Sequence, residues 1–132
     1  RDLHYPLRRQ RQMCIRDRDV HEPMNAAHIG KGVVITKFTG SFGKASTNDA
    51  HAEFVFKIRD IFNKNNVCWQ TGELGKVDQG GGGTIAKFIA EHGINVIDCG
   101  PALLGMHSPF EIVSKADLFE THKAYKAFFE SR

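Results

Sequence analysis

The chain has 132 residues, 41% of them hydrophobic, enough for one domain with a core, and no apolar run approaches the roughly 20 residues of a membrane helix. Its formal charge of +3 does not mark a nucleic-acid binder, because six Arg and two Asp within residues 1–18 carry +4 and leave −1 on the other 114 residues. Cys14, Cys68 and Cys99 form no CxxC pair, which excludes a zinc ribbon, argues against a disulfide framework and points to reduced thiols in a cytoplasmic setting.

Six of the eight arginines precede Asp19, and the segment from Arg8 to Arg18 has neither a helical nor an alternating apolar period. It also lacks the apolar stretch of a signal peptide and resembles translated sequencing-adapter text. Residues 1–18 are therefore expected to be an unrelated or disordered basic leader, and residues 19–132 the folded part.

The folded part opens with a loop at Glu22-Pro23-Met24-Asn25, followed by the β-branched run Val33-Val34-Ile35-Thr36-Lys37-Phe38 between Gly32 and Gly40, which predicts a strand. Residues 39–49, rich in Gly, Ser and Asn, read as a loop. Phe54, Val55, Ile58, Ile61 and Phe62 recur at helical spacing and predict a helix over 50–63, ended by Asn65 and Asn66. Val67 to Thr71 reads as a second strand. A glycine-bearing loop then runs through Gly80–Gly83 into a helix from Thr84 to Ala90, closed by Gly93.

Ile94 to Asp98 predicts a third strand. Ser108-Pro109-Phe110-Glu111 reads as a capping box with proline at the first helical position, so the chain is expected to enter its last helix directly after His107. Leu118, His122, Tyr125 and Phe129 are spaced to line one face of that helix. The order strand, helix, strand, helix, strand, helix gives an α/β class, with helices packed on a mixed, mostly parallel sheet.

His107, between a strand end and a helix start, occupies the kind of edge where ligands and metals collect in open α/β sheets, although a histidine bonded near a helix start has the same appearance. The Gly80–Gly83 run before Thr84 could cradle an anion or let a peptide backbone approach, so a stand-alone anion- or peptide-binding module is an alternative reading. No Walker lysine follows it, and no GxGxxG sits directly behind a strand. Lys37 and Lys44, with Asn48 and Asp49, could contact an acidic group. Glu73, Asp78, Asp98 and Glu111 form no HExxH or paired-carboxylate motif with His107 and read as solvated or capping groups. Cys99 reads as a structural thiol, since no orienting or oxyanion group accompanies it as a nucleophile.

Taken together, Trp69-Gln70-Thr71-Gly72-Glu73-Leu74-Gly75-Lys76-Val77-Asp78, Gly80-Gly81-Gly82-Gly83-Thr84-Ile85-Ala86 and Met106-His107-Ser108-Pro109-Phe110-Glu111 carry a resemblance to the aspartyl aminopeptidase/aminopeptidase I family. The likeness runs from about Asp19 to the C-terminus and includes His21-Glu22-Pro23-Met24-Asn25-Ala26-Ala27 and Ser114-Lys115-Ala116-Asp117. It implies a two-zinc exopeptidase with a zinc-exopeptidase-like sandwich, peptide substrates and homo-oligomers that include dodecamers. It further implies His107 as the last zinc ligand, Lys37 as a contact for an acidic substrate side chain, and Gly82, Gly83 and Thr84 as lining the substrate cleft. In such enzymes a glutamate deprotonates a zinc-bridging water that attacks the scissile carbonyl. That glutamate and the other zinc ligands have no match in this sequence, so no catalytic base is carried over. The resemblance therefore reads the chain as a C-terminal portion of a zinc aminopeptidase, without tight zinc binding or turnover by itself, and with no nucleic-acid or membrane partner.

Overall fold

A computed structural model describes residues 22–41, 45–75, 83–106 and 109–131. The leader, Lys44, Asp78, Gly80, Gly81, Gly82, His107 and Ser108 lie outside the described residues, and so does everything expected of them.

Among the described residues the elements follow in the order β1 (Val33–Thr36), β2 (Phe38–Ser41), β3 (Ala45–Asp49), α1 (Ala52–Lys64), β4 (Trp69–Thr71), α2 (Ala86–Ala90), β5 (Asp98–Pro101), β6 (Leu103–Leu104), β7 (Ile112–Val113) and α3 (Lys115–Glu130). The central sheet has the order β4-β1-β5 and is mixed, as expected: β4 lies parallel to β1, with Val33 opposite Trp69, and β5 lies antiparallel, with Thr36 opposite Asp98.

β1 organises this sheet because all four of its residues are buried, and its period-2 alternation sends them to opposite faces. Val33 and Ile35 enter a core with Ile58, Ile61 and Phe62 of α1, Val67, and Ala124 and Ala127 of α3, with Trp69, Ile97 and Cys99 packed against it. Val34 and Thr36 face the other way. Asn65 caps α1, its side-chain amide donating to the Ile61 carbonyl at 2.9 Å, and Asn66 turns the chain with φ +52°. The backbone then enters β4 with Val67 N–H on the Phe62 carbonyl at 2.9 Å.

Helix α3 closes over β1 and β5 through a stripe different from the expected one. Its buried residues are Asp117, Thr121, Ala124 and Ala127, whereas Leu118, Tyr125 and Phe129 are 54%, 47% and 70% exposed. The two alanines let the helix backbone approach the sheet. Asp117, 1% exposed, accepts hydrogen bonds from Gly30 N–H at 2.7 Å and Gly32 N–H at 2.9 Å, and Thr121 donates to the Asp117 carbonyl at 2.8 Å. Gly32 itself admits no side chain: its φ is +84°, and a Cβ there would sit 2.1 Å from the Cys68 carbonyl oxygen.

Three further expectations are corrected. Residues 39–41 and 45–49, expected within a loop, are strand: β2 and β3 pair antiparallel with Thr39 opposite Asn48, because pairing supplies the ladder bonds that Gly, Ser and Asn do not favour locally. The third strand is displaced from 94–98 to Asp98–Pro101, where the register against β1 begins at Thr36, and Ile94 is left 57% exposed. Proline is tolerated there because β5 is an edge strand of this sheet. Finally, the last helix does not follow His107 directly. Pro109 and Phe110 form a bend, β7 pairs with β6, and the N-cap is Ser114, whose hydroxyl accepts from Asp117 N–H at 3.3 Å.

Two side-chain atoms of the hairpin, Thr39 Oγ1 and Asn48 Nδ2, are buried without a hydrogen-bond partner among the described residues. At its open end Lys37 and Asp49 form an ion pair, and Ala50 N–H bonds the Lys37 carbonyl at 2.9 Å.

Removing the Asp117 carboxylate strands two backbone donors. Asp117→Ala is expected to lower unfolding stability by about 2–3 kcal/mol, read as a reduced urea midpoint at unchanged slope, and a midpoint equal to that of the parent chain would contradict it.

Candidate functional site

The second face of the central sheet is hollow. Val34 and Thr36 of β1, residues of β5 and β6, the segment from Ala26 to Ile29 and the turn after β4 enclose a cleft of about 280 Å³. Aliphatic groups such as Val34, Leu74, Leu103 and Met106 dominate its wall, and the polar groups include Glu73, Thr84 and Asp98. An apolar recess with few polar groups is the usual form of a binding site.

Each polar group has a structural reason for its place. Glu73 lies two residues beyond the end of β4, and its N–H bonds the Asn25 carbonyl at 2.8 Å, tying the turn to the 22–25 loop. Asp98 begins β5 beside Thr36, and so lies on the cleft side of the sheet. Thr84 donates its hydroxyl to Asp98 Oδ2 at 2.8 Å while accepting from Ala86 N–H at 3.3 Å, which connects the start of α2 to the sheet.

The apolar wall raises the proton affinity of both acids. Burial pushes Glu73 up to about 7, against the lowering effect of the Lys37 ammonium, with the Asp49 charge adding to the rise. Burial also raises Asp98, opposed by the Thr84 hydrogen bond. Burial pushes the Cys99 thiol up to about 12, with Asp98 contributing, which disfavours its thiolate, and the side chain packs against the core.

Of the residues that the sequence singled out, Thr84 lines the cleft, and Gly83 immediately precedes it. Lys37 stands at the hairpin, paired with Asp49 and close enough to Glu73 to act on its charge. Gly82 and His107 lie outside the described residues; Met106, the neighbour of His107, is in the cleft wall. Glu73 and Asp98, read from sequence as solvated or capping groups, both belong to the cleft. Asp98 opens β5 and Glu73 lies two residues beyond β4, so both stand at strand ends of the central sheet.

The anion-cradle alternative weakens on this geometry. Helix α2 has five residues and no side-chain cap, and a carboxylate, Asp98, already occupies the Thr84 hydroxyl at its start. A zinc site needs several convergent N, O or S ligands. Among the described residues no three His, Cys, Asp or Glu side chains gather in that way, so the described residues do not by themselves make a zinc centre. No helix among them is long and apolar enough to cross a membrane.

A mixed sheet of β4, β1 and β5 bordering an apolar recess, with Glu73, Thr84 and Asp98 in its wall, is the geometry that the likeness to known proteins bears on. Residues 18–129 match the family of aminopeptidase I zinc metalloproteases, M18, and the chain belongs to that family. Over 113 residues it is 65% identical to a Thermotoga neapolitana protein named probable M18 family aminopeptidase 1, a match covering 86% of this chain and 25% of that protein. The crystal structure of an M18-family aminopeptidase from Thermotoga maritima superposes with a TM-score of 0.81 at 63% identity, covering 87% of this chain and 26% of that one. PhTET1-12s, solved as a dodecamer, shares the fold at 23% identity and TM-score 0.60, covering 78% of this chain and 28% of that one. The chain thus spans about a quarter of the length of these relatives.

Two outcomes follow from the charges. Glu73 has a folded value near 7 against an ordinary 4.5, so the folded state holds more protons between those limits and stability falls as pH rises from 4.5 to 7. Glu73→Gln should flatten that part of a pH–stability profile, and an unchanged slope would contradict the assignment. Iodoacetamide at pH 8 should alkylate the exposed Cys68 and leave Cys99 unmodified, as read by peptide mass mapping.

Proposed function

We propose that this chain is part of a zinc-dependent aminopeptidase that removes N-terminal residues, Asp and Glu preferentially, from peptides. The observation that carries this reading is the 65% identity over 113 residues to an M18-family aminopeptidase, together with the family match across residues 18–129. In this reading His107 is one ligand of a two-zinc centre, and Gly82, Gly83 and Thr84 face the substrate. Lys37 takes an acidic substrate side chain, its half-exposed ammonium exchanging the Asp49 carboxylate for that of the substrate.

Residues 19–132 then form a C-terminal portion of the catalytic domain, with residues 1–18 an unrelated leader. The whole enzyme is a cytoplasmic homo-oligomer, a state supported by the dodecamer of PhTET1-12s and by the large apolar side chains exposed on α3. The 132-residue chain by itself has neither tight zinc binding nor turnover, since His107 alone falls short of the three protein ligands of a catalytic zinc.

After equilibration with zinc and dialysis, metal analysis should find less than one ion per chain, and the chain should not hydrolyse an aspartyl chromogenic substrate, whereas the full-length Thermotoga maritima relative is expected to hydrolyse it in a chelator-sensitive manner. Chelator-sensitive hydrolysis by the chain alone would overturn its inactivity. In a full-length M18 aminopeptidase that carries this segment, Lys37→Met should reduce the preference for aspartyl over leucyl substrates by about tenfold.

A further inference from the structure

Asp98 and Thr84 meet in the wall of the cleft, and the way they meet fixes what Thr84 can offer. The Thr84 hydroxyl donates to Asp98 Oδ2 at 2.8 Å and accepts from Ala86 N–H at 3.3 Å. A hydroxyl has one proton and two lone pairs. The carboxylate engages the proton and the backbone engages one lone pair, so what is left for the cleft is a single acceptor.

The carboxylate is the fixed end of this contact. Asp98 belongs to a strand paired with β1 from Val33–Pro101 to Thr36–Asp98, and Thr36 beside it is 6% exposed. The Thr84 end is loosely packed: in α2 Ala86 is buried, whereas Ile85 and Phe88 on either side are 75% and 56% exposed. A helix of five residues does not hold itself together in water. The orientation of the Thr84 side chain is therefore set from the sheet, through Asp98. Burial disfavours the Asp98 charge and the Thr84 hydrogen bond opposes that effect, so a charged carboxylate and a donating hydroxyl support one another.

We infer that Asp98 is a positioning residue for substrate recognition: by engaging the Thr84 hydroxyl proton it presents the Thr84 oxygen to the cleft as an acceptor for an amide N–H of a peptide substrate. The inference rests on the reading, proposed above, of Thr84 as a substrate-facing residue of an aminopeptidase.

Asp98 acts through Thr84 rather than on the substrate. Without the carboxylate the hydroxyl rotor is free to turn its own proton toward the cleft, and a donor facing a substrate N–H leaves both groups unpaired beside the aliphatic wall of Val34, Leu74 and Leu103. The effect is one of binding: the proton stays on the Thr84 oxygen throughout, and no covalent bond forms or breaks at either residue. A loss of the contact therefore falls on KM and leaves kcat nearly as it was.

The test uses a full-length M18 aminopeptidase that carries this segment, with an aspartyl-dialanine tripeptide as substrate. Thr84→Val, which keeps the shape and removes the oxygen, should raise KM about tenfold with kcat within about twofold of the parent. Asp98→Ala should act alike, and the two together should be no worse than either alone, because both remove one interaction. Thr84→Ser and Asp98→Asn retain an oxygen at each end and should keep KM within about threefold of the parent. The tripeptide N-methylated at one of its amides should lose as much with the parent as the plain peptide loses with Thr84→Val, and nothing further with Thr84→Val. Circular dichroism checks folding; if Asp98→Ala is unfolded, the Thr84 variants and the N-methylated peptides decide. The inference is overturned if Thr84→Val leaves KM unmoved or affects kcat alone, if Thr84→Ser fails to restore KM, or if N-methylation at each amide costs Thr84→Val as much as the parent. Absence of hydrolysis by the parent sinks the aminopeptidase reading and this inference with it, whereas hydrolysis with an unmoved KM sinks this inference alone.

Discussion

A buried carboxylate holds this fold at its narrowest point. Asp117, one turn into α3, accepts the N–H groups of Gly30 and Gly32, and those glycines lead directly into β1. The bond is long-range in sequence and short in space: it fixes where the last helix begins relative to the strand at the centre of the sheet. Gly32 completes the constraint, because only a residue without Cβ can pass the Cys68 carbonyl there while Val33 N–H bonds that same oxygen at 3.0 Å. Helix, strand entry and the start of β4 are thereby set in one place.

From that anchor the two faces of β1 acquire separate tasks. The Val33 and Ile35 side packs against α1 and α3 and supplies most of the buried apolar contact. The Val34 and Thr36 side carries the cleft, with Asp98 beside Thr36 in the ladder and Glu73 at the exit of β4. A strand of four residues therefore joins the hydrophobic core to the polar chemistry, and the raised proton affinities of Glu73 and Asp98 are a direct result of placing carboxylates over the apolar side of that strand. The family match gives this arrangement its setting, since residues 18–129 belong to the aminopeptidase I zinc metalloproteases.

The parts of the fold legible in the sequence were those encoded by local periodicity. Ile58, Ile61 and Phe62 announce α1, the β-branched Val33 to Thr36 announce β1, and Asn65 and Asn66 mark the helix end that the structure contains. What escaped were pairings between distant segments. The β2–β3 hairpin has loop-like composition, and β5 begins at Asp98 because register with β1 outweighs the apolar run from Ile94 to Ile97. On α3 the spacing of Leu118, His122, Tyr125 and Phe129 marks one face, but the face that the sheet buries carries Asp117, Thr121, Ala124 and Ala127. The site divides similarly. Thr84 was legible through the glycine run before it, while Glu73 and Asp98 became visible as neighbours only once β4, β1 and β5 lay side by side.

The hairpin has a different thermodynamic character from the sheet it borders. Thr39 Oγ1 and Asn48 Nδ2 have surrendered water without gaining a partner among the described residues, a debt that water would settle whenever the two strands part. Opening β2 from β3 therefore costs less than separating β1 from its neighbours, whose residues sit in the main core. The Lys37–Asp49 pair closes the base of the hairpin from the solvent side, where both side chains stay about half exposed while Thr39 and Asn48 between the strands are buried.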